Sequence, residues 1–303
     1  MNVVEVKNIS KSFKDVIAVN DISFNVGKGE LFGFIGPDGA GKTTLLRLLT
    51  TLLIPDKGSA KVLGFDTVKD YKKIRKSIGY MAGRFSLYQD LTVEENLKFY
   101  ATIFGTTIEQ NYDLIKEIYV LLEPFKKRKA GKLSGGMKQK LALCCALIHK
   151  PELLFLDEPT TGVDPVSRNE FWDMLGNLKK QEITILVSTP YMNEASLCDR
   201  VALIQKGKTL EINTPEEIVK EFKKPLFFIK ADNMYELRLK LLEYEHSDTI
   251  QPFGEYFHYT DKRNEIHPDE IKKYLEEKGM TNVSLKPAKP DIEDCFMALM
   301  DKS

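Results

Sequence analysis

"GFIGPDGAGKTTLLRLLT", residues 33–50, is the stretch that decides the fold of this chain. A short apolar run ends in glycine, a glycine-rich turn follows, and a Lys-Thr-Thr triplet opens a leucine-rich helix. This order matches the phosphate-binding pattern G-x-x-x-x-G-K-[ST] between a strand and a helix. Glycines let the backbone N–H groups turn towards a phosphate, and the start of the helix adds partial positive charge. The stretch therefore predicts a site for the phosphates of a nucleotide.

This phosphate loop, residues 36–43, supplies most of the candidate binding residues. We expect Lys42 to reach the β- and γ-phosphates and the Thr43 hydroxyl to bind Mg²⁺. A dinucleotide fingerprint, GxGxxG, does not fit the loop, which excludes that class of ligand. The candidate residues of the loop and of the helix start are Gly36, Pro37, Asp38, Gly39, Ala40, Gly41, Lys42, Thr43 and Thr44.

A second motif, "LLFLDEPTTGVDP" at 153–165, places two carboxylates at the end of an apolar run. The run is of strand length and indicates a strand covered on both faces. We expect Asp157 to hold Mg²⁺ and Glu158 to act as the general base that polarises the attacking water. Adjacent buried carboxylates are costly unless a cation lies beside them. The pair is weak evidence alone and strong evidence together with the phosphate loop.

A third motif, "KLSGGMKQK" at 132–140, precedes the second along the chain. Ser134 is placed to cap a helix, and Gly135 and Gly136 allow a ligand to approach the backbone closely. An ordinary capped helix would explain these three residues if they stood alone. Beside the other two motifs they favour a second anion-binding helix terminus.

Together these motifs resemble the nucleotide-binding subunit of an ABC transporter over residues 1 to about 220. The order of strand and helix patterns predicts a mixed α/β nucleotide domain with a helical insertion near 85–150, and the resemblance implies that this domain is a P-loop NTPase fold, the ABC cassette. It implies ATP and Mg²⁺ as ligands and ATP hydrolysis as the reaction. It also implies that two cassettes close head to tail, with ATP between the phosphate loop of one and the signature segment, residues 134–136, of the other. Asp164, in the loop that follows the carboxylate pair, joins the ATP-site residues on the same ground.

Phe13 lies where this family places an aromatic ring that stacks on adenine. A phenylalanine of the strand core is the alternative interpretation of the same residue. Stacking recognises the face of a base and gives little specificity, so the preference for ATP over GTP rests on the resemblance alone.

The remainder of the chain, residues 225–303, alternates short strand and helix patterns and predicts a small α+β accessory domain after a cassette of residues 1–222. Its ending, "KPDIEDCFMALM", resembles the ending of the multidrug and ABC-2 exporter branch. The resemblance therefore implies an exporter, with a separate integral membrane permease subunit as partner.

Composition limits the partners and the location. The 44 basic and 44 acidic residues cancel, so no overall charge indicates a nucleic-acid partner. The basic run at 126–129 indicates a solvated loop or, alternatively, a contact with an anionic partner. No apolar run reaches the roughly 18–20 residues that span a bilayer. We therefore expect a peripheral subunit on the cytoplasmic face of the cell membrane. The four cysteines show neither a CxxC pair nor metal-ligand spacing.

Two positions depart from the family pattern. Ala82-Gly83 follows "IGYM" where Pro-Gln is usual, and Pro190 follows "ILVST" where His is usual. The resemblance assigns the Gln to Mg²⁺ and water, and the His to the γ-phosphate. Neither Gly83 nor Pro190 has a side-chain donor. Sequence drift is one explanation. An impaired site with slow hydrolysis, paired with a non-identical second nucleotide-binding subunit, is the one we favour.

Three functions follow from these motifs. The first is the ATP-driven subunit of an exporter. The second is a low-turnover module that holds ATP to regulate or clamp a competent cassette. The third is an ABC ATPase without a membrane partner, a class that usually carries two cassettes on one chain, whereas the motifs here occur once.

Overall fold

The computed structural model describes residues 1–263 and 267–300 of the chain. The chain divides into two compact units, Met1–Pro215 and Glu216–Ser303. The sequence predicts a boundary after residue 222, so the observed division falls earlier. The difference concerns the short helix Pro215–Glu221, which the sequence assigns to the cassette and which lies almost wholly within the second unit.

The first unit mixes strands and helices along the chain, as the α/β prediction requires. Its strands are β1 (Asn2–Phe13), β2 (Val16–Gly27), β3 (Leu31–Ile35), β4 (Lys57–Val62), β5 (Phe65–Asp66), β6 (Ile78–Met81), β7 (Leu153–Asp157), β8 (Thr184–Thr189), β9 (Arg200–Gln205) and β10 (Lys208–Asn213). Its helices are α1 (Lys42–Leu49), α2 (Tyr71–Ser77), α3 (Val93–Ile103), α4 (Tyr112–Tyr119), α5 (Gly135–Leu147) and α6 (Pro165–Lys180).

The central sheet is what positions the site. Its strand order is β10-β9-β3-β8-β7-β6, and all neighbours are parallel except β10, which runs antiparallel to β9. Every residue of β3 and β7 is buried, which explains their continuous apolar runs. A second, antiparallel sheet has the order β2-β1-β4-β5. Helix α1 packs its leucines into the core between these sheets, where Phe24, Phe32 and Phe34 contact one another.

Helices α3, α4 and α5 form the insertion predicted near 85–150. Thr92 caps α3 in a capping box: its hydroxyl accepts the N–H of Glu95, and its own N–H donates to the Glu95 carboxylate. Helix α4 ends at Tyr119, and a separate 3₁₀ turn, Glu123–Phe125, contains Pro124, which has no N–H to continue an α-helix.

The second unit contains an antiparallel sheet with helices, which is the predicted α+β class. After helix α7 (Pro215–Glu221), its elements are β11 (Leu226–Lys230), α8 (Met234–Glu243), β12 (Ser247–Phe253), β13 (Tyr256–Asp261), α9 (Pro268–Glu277), β14 (Ser284–Ala288) and α10 (Ile292–Met300). The strand order is β12-β13-β11-β14. Leu237, Leu241, Ile271 and Leu275 from the helices bury against Tyr259 and its neighbours.

Within the described ranges, no helix combines the length and the apolar character that crossing a bilayer requires. The basic run at 126–129 lies on the surface, with all four side chains exposed.

Candidate functional site

Four sequence motifs meet at one edge of the central sheet. Strands β3, β8, β7 and β6 are parallel neighbours, so their carboxyl ends lie at the same edge. The phosphate loop follows β3, Pro190 follows β8, and Gly83 follows β6. Asp157 is the last residue of β7, and Glu158 comes directly after it. The carboxyl edge of a parallel sheet is where ligands bind in open α/β folds.

Lys42 is held at this edge by the phosphate loop itself. Its ammonium Nζ donates to the carbonyl oxygens of Gly36 at 2.7 Å and Pro37 at 3.0 Å. The same Nζ lies 3.2 Å from Oε1 of Glu158. The side chain is 2% exposed, whereas that of Glu158 is 22% exposed. The predicted phosphate-binding cation and the predicted general base are therefore in direct contact.

Glycine is required at two positions of the loop, because carbonyl groups of other segments lie too close for a side chain. An ideal Cβ at Gly36 would lie 2.1 Å from the carbonyl oxygen of Ile204, which no side chain can tolerate. Gly41 has a φ of +106°, and a Cβ there would lie 2.2 Å from the carbonyl oxygen of Ala18. The loop can therefore wrap a phosphate only with glycine at both positions.

Thr43 and Asp157 meet across the sheet edge. The Thr43 hydroxyl donates to Oδ1 of Asp157 at 2.9 Å, although 114 positions separate the two residues. Ser188, which the sequence analysis did not single out, donates to the same oxygen at 2.8 Å. A hydroxyl and a carboxylate oxygen at this separation are ligands that a hard cation such as Mg²⁺ accepts. The donor set therefore fits the predicted metal.

Glu158 occupies an unusual backbone conformation. Its φ is +49°, in the left-handed region, and its N–H lies 3.0 Å from the carbonyl oxygen and 3.1 Å from the hydroxyl oxygen of Ser188. Non-glycine residues adopt this region uncommonly and often at functional sites. Ser188 therefore fixes the backbone of the predicted general base as well as the carboxylate of Asp157.

An open cavity of about 380 Å³ lies between the phosphate loop and Glu158, the predicted general base. Its lining combines the loop, strand β2 and one residue of the β9–β10 turn: Val16, Ile17, Ala18, Gly39, Ala40, Gly41, Lys42, Thr43, Thr44, Glu158 and Lys206. Phe13 lies outside this lining at the end of β1, 45% exposed. Because the ring is exposed, the alternative interpretation of Phe13 as a core residue is wrong, and the ring is accessible for stacking.

The signature segment forms the start of helix α5 and lies outside this lining. The Ser134 hydroxyl accepts the N–H of Met137 at 3.3 Å and so caps α5, as predicted. Ser134 and Gly135 are exposed, whereas Gly136 is buried. A Cβ at Gly136 would lie 2.7 Å from the Ser167 hydroxyl oxygen, so this glycine allows α5 to pack against α6.

Asp164 has a defined role within the chain. Its carboxylate accepts the N–H of Ser167 at 3.0 Å and caps helix α6. This backbone hydrogen bond lowers the pKa of the Asp164 carboxyl below its ordinary value. The residue precedes a proline at the first helical position, an arrangement typical of helix starts. The cavity described above brings together the phosphate loop and Glu158, while Asp164 lies outside its lining.

The two positions that depart from the family pattern, Gly83 and Pro190, lie in closely packed backbone. A Cβ at Gly83 would lie 2.9 Å from the carbonyl oxygen of Asp157, closer than ordinary van der Waals contact. Pro190 follows Thr189, whose hydroxyl oxygen accepts the N–H of Tyr191 at 3.1 Å. A side chain at position 83 would therefore press on the backbone of Asp157, and a hydrogen bond bridges the residues on either side of Pro190.

A buried carboxylate that the sequence did not reveal ties these loops together. Glu194 is 2% exposed, accepts the Thr160 hydroxyl at 2.9 Å and also accepts the Thr189 hydroxyl. Nε of Arg168 lies 3.7 Å from the same carboxylate, and its guanidinium covers the Tyr191 ring at 3.8 Å. Glu194 therefore links the loop after Glu158 to the segment around Pro190. The spacing of these residues along the chain carries no signal of this arrangement.

Comparison with known proteins agrees with this geometry. The family model described as "ABC transporter" matches residues 19–161. The Nod factor export ATP-binding protein I of Rhizobium sp. (strain N33) is 35% identical over 301 residues, which cover 98% of this chain and 96% of that protein. The probable multidrug ABC transporter ATP-binding protein YbhF of Escherichia coli (strain K12) is 41% identical over 218 residues.

The match to YbhF covers 71% of this chain but only 38% of YbhF, which is less than half of its length. Among solved structures, the dimeric post-hydrolysis state of the ATP-binding cassette MJ0796, bound to ADP and Pi, has a TM-score of 0.64 at 26% identity. That alignment covers 70% of this chain and 98% of MJ0796. The P-loop NTPase fold is therefore confirmed. Because the Nod factor relative is 35% identical along almost the entire chain, the protein belongs to the ABC transporter family of ATP-binding proteins.

Proposed function

We propose that this chain binds MgATP at the phosphate loop and hydrolyses it to drive export through separate membrane subunits, on the cytoplasmic face of a membrane. One observation carries the proposal. Two contacts lie at the same sheet edge: Lys42 is 3.2 Å from Glu158, and Thr43 is 2.9 Å from Asp157. A phosphate-binding cation, a candidate base and two metal ligands thus surround the place where a γ-phosphate would lie.

The chain's own residues would share the chemistry as follows. The backbone N–H groups of the loop and the start of α1 bind the phosphates, and Lys42 exchanges its contact with Glu158 for the γ-phosphate. Glu158, released from that pairing, accepts a proton from the attacking water. Thr43 and Asp157 would hold Mg²⁺, which supplies charge neutralisation of the phosphates. Ser188 keeps both carboxylate residues in place through the contacts described above.

A second cassette would complete the site. Ser134 and Gly135 begin α5 in exposed positions and lie outside the lining of the nucleotide cavity. An exposed, capped helix start with glycine beside it is suited to an anion brought by another molecule. The solved MJ0796 cassette, which this chain resembles, is a dimer bound to ADP and Pi. These observations support ATP binding between two cassettes.

We further propose that hydrolysis at this chain's own loop is slow and that its partner is a non-identical cassette. The support is the loss of two side-chain donors, at Gly83 and Pro190, beside an otherwise complete set of Lys42, Thr43 and Asp157. Preorganised donors at developing charge contribute several kcal/mol to catalysis in enzymes generally. A partner that carries both donors would form one complete site with the signature segment of this chain.

The permease would dock in the apolar groove between β6 and α5, with a volume of about 220 Å³. Its lining includes Tyr80, Ala82, Phe85 and His149. Ala82 faces this groove, and the next residue, Gly83, would contact the Asp157 carbonyl through any added Cβ. A permease loop in the groove would therefore contact Ala82, whose neighbour Gly83 lies beside the proposed metal site. Such a direct connection is what coupling of ATP hydrolysis to transport requires.

The proposal is tested with the full chain and two assays. Lys42→Ala should abolish MgATP binding measured by calorimetry, because it removes the cation of the phosphate loop, while Lys208→Gln on the nearby hairpin should leave it unchanged. In a mixed pair with a partner cassette, Ser134→Arg should reduce phosphate release more than Glu158→Gln in this chain. Unchanged nucleotide affinity in Lys42→Ala would refute the site assignment.

The second candidate function is a low-turnover ATP-binding module paired with a competent cassette. The absence of donors at Gly83 and Pro190 favours it over a symmetric motor. It predicts that Glu158→Gln in this chain leaves turnover and transport by the mixed pair unchanged, whereas the motor function predicts a measurable loss of both.

A further inference from the structure

The turn between β9 and β10 brings an additional cation to the nucleotide cavity. Lys206 occupies this turn and lines the cavity together with the phosphate loop. Sequence motifs give no reason to select it, since Lys-Gly in a hairpin turn is unremarkable by itself. Its position in the structure suggests a function for it.

The backbone of this turn is attached to the phosphate loop. The N–H of Gly207 donates to the carbonyl oxygen of Ala40 at 2.9 Å, and the carbonyl oxygen of Gly207 accepts the N–H of Asn20 at 2.7 Å. A Cβ at Gly207 would lie 2.9 Å from the carbonyl oxygen of Ala18. Lys206 itself has a φ of +47°. The turn is therefore fixed against both the loop and strand β2, and the start of the Lys206 side chain is fixed with it.

Lys206 gives the lining of the cavity an excess positive charge. Among the described residues, the charged side chains of this lining are Lys42, Glu158 and Lys206. Lys42 and Glu158 lie 3.2 Å apart and compensate each other. Lys206 is exposed, and its charge is the excess that a polyanionic ligand would meet on entering the cavity.

We infer that Lys206 is a phosphate-binding residue of this chain, acting on the part of the nucleotide nearer the ribose. The residues that line the cavity indicate which part of the nucleotide would lie near Lys206. Lys42 and Glu158 mark the end where the γ-phosphate would be transferred, whereas the turn that carries Lys206 is held through Gly207 at Ala18 and Ala40, on the β2 side. This inference rests on the proposed nucleotide site. It adds a contact that ATP and ADP share, because both carry the phosphates on that side.

The test measures the affinities of MgATP and MgADP for the full chain by calorimetry. Lys206→Gln should weaken both nucleotides by the same factor, about two- to tenfold, as expected for one exposed charge beside a polyanion. Lys206→Arg, which keeps the charge, should restore the affinity. The difference between wild type and Lys206→Gln should shrink when salt is raised from about 0.05 M to about 0.5 M, because exposed charges are screened.

The matched control is Lys208→Gln, which removes an equal, exposed charge from the same hairpin outside the lining. If Lys206→Gln and Lys208→Gln lowered nucleotide affinity equally, Lys206 would act only through the general electrostatic field of the surface. That result would overturn the inference. An effect on ATP alone would place Lys206 at the γ-phosphate and also overturn it. Lys42→Ala separates the two proposals: if it abolishes binding while Lys206→Gln changes nothing, only the inference about Lys206 fails.

Discussion

The ammonium of Lys42 lies 3.2 Å from a carboxylate oxygen of Glu158. The predicted phosphate-binding cation and the candidate base are therefore in contact, and a phosphate that binds Lys42 would release Glu158. Charge-assisted contacts of this length are among the stronger hydrogen-bonding interactions in proteins. If the γ-phosphate replaces Glu158 at Lys42, the same step binds the phosphate and exposes the carboxylate of the candidate base.

Replacing Glu158 by Gln should separate binding from hydrolysis. The change removes the base and its negative charge, so ATP hydrolysis should fall on the order of 10²-fold or more. MgATP affinity should be maintained or increased, because Lys42 no longer pairs with a carboxylate. Phosphate release and calorimetry give the two quantities. Glu152→Gln, at the opposite end of β7, is the control and should change neither. Hydrolysis at the wild-type rate in Glu158→Gln would show that another group is the base.

Replacing Thr43 by Val should weaken the dependence of ATP binding on Mg²⁺. Valine has the shape of threonine without the hydroxyl that lies 2.9 Å from Asp157. The ratio of ATP affinities measured with Mg²⁺ and with a chelator should therefore fall towards one, while Thr43→Ser should keep the wild-type ratio. A wild-type ratio in the valine variant would mean that Thr43 is not a metal ligand.

Restoring both missing donors should accelerate the chain acting alone. If each group contributes even about 1 kcal/mol at the transition state, Gly83→Gln with Pro190→His should raise steady-state phosphate release on the order of 10-fold. The Cβ introduced at position 83 would press on the Asp157 carbonyl at 2.9 Å. Gly83→Ala with Pro190→His introduces the same Cβ without the amide and is the matched control for that pressure.

Two outcomes bear on the slow-site proposal. Faster release in the glutamine variant than in the alanine variant supports a missing donor at position 83. Equal rates in wild type and both double variants would mean that these positions vary without consequence for hydrolysis.

Adding a methyl group at Gly136 should destabilise the cassette, whereas the same change at Gly176 should not. A Cβ at Gly136 would lie 2.7 Å from the Ser167 hydroxyl oxygen and force α5 away from α6, at a cost of about 1–3 kcal/mol. A Cβ at Gly176 meets no heavy atom within 4 Å, and alanine within helix α6 should stabilise by about 0.5–1 kcal/mol. Urea unfolding gives both free energies. Equal stabilities of the two variants would contradict the tight packing of the signature segment.

The sequence by itself determined the parts of this protein that depend on local backbone chemistry. The phosphate loop, the buried strand ending in Asp157 and Glu158, and the cap at Ser134 are each specified within about ten consecutive residues. Their glycines, apolar runs and capping hydroxyls constrain φ, burial and hydrogen bonding at short range. The fold class followed from these local patterns and from their order along the chain.

Only the tertiary structure decided which of these parts touch. Thr43 meets Asp157 across 114 positions because the parallel order β3-β8-β7 puts the carboxyl ends of β3 and β7 at one sheet edge, and strand order depends on pairing between distant segments. The same non-local pairing gives Ser188 its two partners, ties two loops to Glu194 and brings Lys206 to the nucleotide cavity. A serine, a glutamate or a lysine carries no sign of such a position in its sequence neighbours, because the groups that define its role lie on other strands.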